Sequence, residues 1–182
     1  MQVFVDEGYE RASMDRIAEA AGASKRTVYN YYPSKEILFR AVIARFAAQL
    51  ESQSEIPYDR SLGLEAQLGR FIDVELSMIE NPTWLGFIKS LLSIIVRNPG
   101  FYQEALSQYA SEKGALVAWI RSAAQDGTLV VDDPGTAARV FASMVSGAFT
   151  WPAVYQGVVD HDANRRMKDE LIRMFLCRYQ SR

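Results

Sequence analysis

The side chains with the most chemistry to offer stand close together. Lys25, Arg26, Thr27, Tyr29 and Asn30 all lie in the stretch SKRTVYNYY. Ammonium, guanidinium, hydroxyl and amide groups of this kind reach guanine, adenine, thymine methyls and phosphates in a DNA major groove. Lys35 follows at the start of another predicted helix. A lysine beside the free N–H groups of a helix start makes a phosphate clamp. Between Ser24 and Arg45, the cations Lys25, Arg26, Lys35, Arg40 and Arg45 face only Glu36. That is a local excess of four positive charges on a chain of net charge -2. The molecule as a whole is no basic nucleic-acid coat, so DNA binding must come from this patch.

Other chemistry is sparse. His161 has no cysteine or second histidine near it, and it is expected in a solvated loop with Asp160 and Asp162. Asp132 and Asp133 read as a helix cap, not an acid–base pair. No nucleophile–base pair and no glycine-rich phosphate loop is present, so neither an enzyme nor a cofactor or metal is called for. Cys177 is the only cysteine, which rules out an intrachain disulfide, fits a reducing cytoplasm, and is expected to be a buried packing residue. No apolar run reaches the roughly 18 residues of a membrane helix.

The elements that must hold the basic patch are helical. We find no hairpin signal and no sustained alternation. The periodicity predicts helices near 1–7, 14–21, 25–31, 35–52, 62–79, 83–96, 99–125, 134–155 and 163–180. Asn81-Pro82, Asn98-Pro99 and Asp133-Pro134 are three start signals of one kind, a polar cap before a proline. The polar stretch Glu51 to Gly63 holds Pro57 and reads as a linker, which divides the chain into domains 1–50 and 51–182. MQVFVDEG reads as the second half of an amphipathic helix, with Val3 and Phe4 buried and Gly8 as its stop. The natural chain is expected to begin earlier.

Around the patch the spacing is specific. Ile17 faces inward, and Ala18 is small where two helices must cross closely. Gly22 permits the positive φ of a tight turn, and Ser24 caps the next helix. Val28, ten residues after Ala18, packs back on the first helix. A small residue, a glycine and an apolar residue at this spacing suit a helix-turn-helix. Pro33 ends the second helix and Ser34 starts the third.

These residues carry a family resemblance. GASKRTVYNYYPSKEILFRAV resembles the signature of TetR-type transcriptional regulators, AG-x-S-x-x-T-[LV]-Y-x-[YH]-F-x-(S/N)-K-E-x-L, departing mainly by Tyr32 for phenylalanine. EGYERASMDRIAEAAG resembles the segment that precedes it. The resemblance implies an all-α fold, with an N-terminal three-helix DNA-binding domain and a C-terminal six-helix domain for ligand binding and dimerisation. It implies a homodimer that represses transcription at double-stranded operator DNA and releases it when a small molecule binds. Carried onto matching positions, Lys25, Arg26, Tyr29 and Asn30 face bases, while Ser13, Thr27, Tyr31 and Lys35 hold phosphates and Ser24 stands beside them. Tyr29 serves core packing equally well on sequence grounds. Met14 and Asp15 sit where some members place polar or basic base contacts, and Asp15 would repel phosphate unless it accepts from a cytosine amine.

By the same resemblance, an effector pocket lies between the fifth, sixth, seventh and eighth helices. Trp84, Phe87, Trp119 and Phe141, with Met144 and the polar Tyr109 and Gln108, are its candidate lining, suited to an apolar, aromatic or cationic-amphipathic effector. The same stripes also suit plain core packing. The helix 134–155 is apolar on more than one side, and 163–180 carries one broad apolar stripe, Met167, Leu171, Met174, Phe175 and Leu176; the two are expected to form the dimer. The alternative is a helical small-molecule or lipid-binding protein without working DNA recognition, which the shortened first helix motivates.

Overall fold

A computed structural model describes residues 1–53, 55–98, 100–101, 114–157 and 161–181. The described residues are helical, apart from turns and one isolated antiparallel bridge between Leu129 and Gln180. Contacts group the chain into two compact units, Met1–Gln49 with Pro82–Ala110, and Leu50–Asn81 with Ser111–Arg182. By contacts, helix 82–97 groups with the N-terminal helices.

The first unit holds α1 (Gln2–Arg11), α2 (Met14–Ala20), α3 (Lys25–Tyr31), the start of α4 (Lys35–Gln53) and α6 (Pro82–Arg97). Val3 and Phe4 are buried on α1, as expected. Gly8, at φ 75° and ψ 163°, is not helical and stops the first piece of α1, as expected; a second short piece runs on to Arg11. The core gathers Phe4, Ile17, Phe39, Phe87, Leu91, Ile94 and Phe101. Its rings meet edge-on or tilted, with Phe4–Phe39 at 4.9 Å and Phe39–Phe87 at 5.2 Å between centroids. Such offset arrangements suit the aromatic quadrupole better than face-to-face stacking. The contact between α1 and α6 is close because Gly86 has no side chain. A Cβ there would lie 2.5 Å from Val5 Cγ1. Ser90 seals the same contact by donating its buried hydroxyl to the Phe4 carbonyl at 2.7 Å.

The second unit holds α5 (Leu64–Ile79), α7 (Ala115–Gln125), α8 (Pro134–Val145), α9 (Trp151–Gln156) and α10 (His161–Tyr179). The expected single helix 99–125 is instead interrupted at Gly114, whose ψ of 150° is not helical, so α7 starts at Ala115. The expected helix 134–155 contains a π-turn at Ser146–Thr150, just before Pro152. Proline has no N–H to give the preceding turn, and the wider turn accommodates it. Asp133 caps α8 through the N–H groups of Gly135 and Thr136, as its Asp-Pro signal predicts. Pro82 opens α6 likewise, whereas Pro99 lies outside the described residues. His161 opens α10 rather than lying in a loop.

A buried amide organises the polar part of this unit. Gln67 is fully buried, and its Oε1 accepts from the Asp59 N–H at 2.8 Å and from Trp119 Nε1 at 3.0 Å. Its Nε2 donates to the carbonyls of Asp59 and Leu62, both at 2.8 Å. All four hydrogen-bonding positions of the amide are filled, as burial requires. Tyr58 extends the network by donating to Asp126 Oδ2 at 2.7 Å. Burial, foremost, holds the Tyr58 phenol above its ordinary pKa.

Candidate nucleic-acid interface

The head is built from local signals. Ser13 accepts from the Arg16 N–H at 3.1 Å and caps α2. Ser24 accepts from the Thr27 N–H at 3.0 Å and caps α3. Between them Gly22 takes φ +61°. Ala18 and Val28 are buried together with Met14, packed against Ala23, Tyr32 and Leu38. Val28 is thus the inward anchor of α3, and the residues on either side of it must point away.

They do. Ser13, Ser24, Lys25, Arg26, Thr27, Tyr29, Asn30 and Tyr31 are all exposed. Tyr29 is 46% and Tyr31 76% exposed, so Tyr29 is not a core residue, and the inward tyrosine is Tyr32. Met14 is buried and points away from the face that Asp15 shares.

Several cations near this face have partners within the head. Lys25 Nζ lies 2.6 Å from Asp15 Oδ2, both side chains being more than half exposed. The hydrogen bond to Asp15, and then its charge, hold the Lys25 ammonium above its ordinary pKa. Arg16 bridges Glu7 at 3.2 Å and Glu19 at 2.7 Å. Arg40 pairs with Glu36 at 2.8 Å. Arg26 has no ion pair among the described residues. Lys35 departs from the expected phosphate clamp: its ammonium turns to the C-terminal end of α1. There it donates to the carbonyls of Tyr9 at 2.7 Å and Glu10 at 3.0 Å and sits 4.6 Å over the Tyr9 ring. A helix C-terminus offers unpaired carbonyls and negative potential, and α1 competes for this lysine as a phosphate would. Sequence reasoning missed the Lys25–Asp15 pair, and it missed this latch because its partners lie 25 and 26 residues away.

The described candidate effector residues fall in both units. Trp84 and Phe87 belong to the first unit, where Phe46 meets both rings at 4.9 Å. Trp119, Phe141 and Met144 belong to the second. Trp119 is buried with its N–H on Gln67 and its ring edge-on to Phe71 at 6.1 Å. Phe141 packs edge-on against Phe175 at 5.0 Å. Phe87, Trp119 and Phe141 are thus filled by protein neighbours, while Trp84 and Met144 are half-buried. Tyr109 and Gln108 lie outside the described residues. No group of metal-ligating side chains occurs among the described residues, nor is any helix there long and apolar enough to cross a membrane.

Two family models match the chain. Residues 1–42 fit that of the bacterial regulatory proteins, tetR family, and residues 66–181 fit the AefR-like transcriptional repressor, C-terminal domain. The chain belongs to the TetR family of transcriptional regulators. A TetR-family regulator from Pseudomonas syringae pv. tomato has a similar structure, at 30% identity and a TM-score of 0.78 over 98% of this chain and 91% of that one. The flavonoid-responsive regulator FrrA is 28% identical, with a TM-score of 0.76 over 100% of this chain and 93% of FrrA. The regulator TcmR of Streptomyces glaucescens is 29% identical over 140 residues, 73% of this chain. The match spans only 59% of the length of TcmR.

TetR regulators act as dimers, and the expected dimer helices do carry exposed apolar groups. Val140, Trp151 and Tyr155 are exposed on α8 and α9, Tyr155 at 77%, and the rings of the last two stack at 6.0 Å. On α10 the expected stripe splits. Leu171, Ile172, Phe175 and Leu176 are buried within the unit, whereas Met167 and Met174 are exposed. Cys177 is exposed beside Met174 and is not the buried packing residue expected. The register of α10 turns its sulfur outward while Phe175 and Leu176 fill the core.

Proposed function

We propose that this TetR-family regulator is a repressor that binds palindromic operator DNA as a dimer and leaves it when a small apolar or aromatic effector binds. One observation carries the reading. With Val28 anchored on Ala18, α3 turns Arg26, Thr27, Tyr29, Asn30 and Tyr31 outward together. Arg26 and Asn30 can read bases, and Thr27 and Tyr31 can hold phosphates beside Ser13 and Ser24.

On this reading residues 1–50 read DNA, and residues 51–182 bind the effector and dimerise in the cytoplasm. The exposed faces of 134–155 and 163–180 would meet their copies about a two-fold axis. That would set two heads about one DNA turn, roughly 34–36 Å, apart. The effector would act by favouring a head spacing that does not match the operator. Among the described candidates, Trp84 and Met144 are half-buried. The flavonoid response named for FrrA supports an aromatic effector. No enzymatic step and no cofactor enters.

The test is a fluorescence-anisotropy titration against the DNA just upstream of the chain's own gene, with mixed-sequence DNA at the same salt as control. Saturation at two chains per site, well tighter than the control, is the expected result. Equal, salt-sensitive binding to both would refute that DNA as operator, and no binding to either would refute DNA recognition itself.

A further inference from the structure

Asp15 is out of place on a DNA-facing surface, and the structure supplies a reason for it. It stands in the first turn of α2, close to Ser13, and its Oδ2 holds the Lys25 ammonium at 2.6 Å. Lys25 is the first residue of α3. The N-terminal residues of a recognition helix are those that meet base edges. Wherever Lys25 enters a groove, Asp15 goes with it. Arg16, the one cation of α2, is already bridged to Glu7 and Glu19 and does not neutralise Asp15.

Two encounters differ sharply. Against a phosphate, Lys25 would exchange one oxyanion for another, with little gain, and leave Asp15 facing a polyanion. Against base edges the outcome depends on the base pair. A G·C pair presents, in order across the major groove, the N7 and O6 acceptors of guanine and the N4–H donor of cytosine. An ammonium has three donors, so Lys25 can keep Asp15 and still reach O6 or N7. Asp15 has a second carboxylate oxygen to accept from cytosine N4. In the register that puts Lys25 on guanine O6 and Asp15 on cytosine N4, an A·T pair sets the adenine N6–H donor against the ammonium and the thymine O4 acceptor against the carboxylate, so both contacts are lost.

We propose that Asp15 and Lys25 form one specificity-determining unit that reads a G·C base pair in each operator half-site, while withholding Lys25 from phosphates elsewhere. This rests on the operator-binding reading above. The pair is exposed, and exposed ion pairs contribute little to stability, so replacing either partner should leave the fold intact.

The test compares wild type, D15N and K25M by enrichment of duplexes from a randomised library and by titration of a mixed-sequence duplex over a salt series. Wild type is expected to enrich a G·C pair at one position per half-site. Both variants should lose that preference by roughly tenfold and keep the others. D15N should also bind the mixed duplex more tightly, with a salt slope steeper by about 0.9, the value of one more phosphate contact. K25M should bind it no more tightly than wild type. Enrichment of the same sequences by all three proteins would overturn the proposal, as would a D15N salt slope equal to wild type. If wild type enriches nothing, the operator-binding reading fails and takes this one with it. Thermal melts check that each variant is folded, and K25M remains informative if D15N is not.

Discussion

Replacing Lys35 by methionine separates latch from clamp. Methionine keeps most of the apolar stem and removes the ammonium. The structure then loses the donations to Tyr9 O at 2.7 Å and Glu10 O at 3.0 Å, and the cation 4.6 Å over the Tyr9 ring. A hydrogen bond from a charged donor is worth about 1.5–3 kcal/mol. Only the bond to Tyr9 O is part-buried, and the Glu10 carbonyl regains water, so the first bond dominates. The cation–π contact adds about 0.5–1 kcal/mol. The charge at the end of α1 adds another ~0.3–1 kcal/mol, and these contributions overlap. The expected net loss is about 2 kcal/mol, or a fall in melting temperature of roughly 4–8 °C for a chain of this size. The assay is thermal unfolding by circular dichroism, beside anisotropy titrations of a mixed-sequence duplex over a salt series. The lysine read as a latch gives a lower melting temperature and a salt slope changed by less than one phosphate. An unchanged melting temperature with a slope lower by about 0.9 would refute it and restore the phosphate clamp.

Three further perturbations test other joints. Gly86→Ala should cost about 1–3 kcal/mol, because the new Cβ meets a β-branched side chain that cannot turn aside within its helix. Adding Val5→Ala should recover most of that loss, and a Gly86→Ala melt equal to wild type would disprove the close contact. Gln67→Met leaves the Trp119 N–H, the Asp59 N–H and two carbonyls without their partner. Urea unfolding should show a loss of about 3–5 kcal/mol, and a loss below about 1 kcal/mol would show that water or relaxation replaces the amide. Asp133 is held below the ordinary carboxylate pKa, first by the Thr136 hydroxyl and then by the Thr136 N–H. Its contribution to stability should be full above the unfolded value near 4 and fade as pH falls through the folded value. Asp133→Asn should flatten that part of the stability–pH curve, and superimposable curves would refute the assignment.

The head was legible because its signals are short-range. Ser13, Ser24 and Ser34 each bond an N–H three residues on, and Gly22 needs its conformation whatever surrounds it. Even the crossing of Ala18 with Val28 spans a single turn. What sequence missed is set by distant contacts. Lys35 had carbonyls 25 and 26 residues away to choose over phosphate. The grouping of α6 with α1 hangs on Gly86 facing Val5, which no local pattern announces. On α10 the apolar residues covered more arc than one core could use, so periodicity alone could not say that Cys177 and Met174 face outward while Phe175 and Leu176 face inward.

The same distinction changes what the basic patch means. Read along the chain, Lys25, Arg26, Lys35, Arg40 and Arg45 add to a local positive excess, which suggests strong attraction to any duplex. In the structure Lys25 faces Asp15, Arg40 faces Glu36, and Lys35 serves α1. Of the five, Arg26 and Arg45 are the exposed cations without an ion pair among the described residues. Sequence-independent binding scales with the phosphates a protein neutralises, and a head that neutralises its own cations forfeits much of that attraction. What remains outward on α3 is mostly neutral: Thr27, Tyr29, Asn30 and Tyr31. Neutral donors and acceptors gain little from a phosphate backbone and much from a matching base edge. Binding by such a head should therefore be weak on random DNA and shallow in its salt dependence. On the operator-binding reading proposed above, affinity for an operator then comes from base contacts and from two heads held on one site.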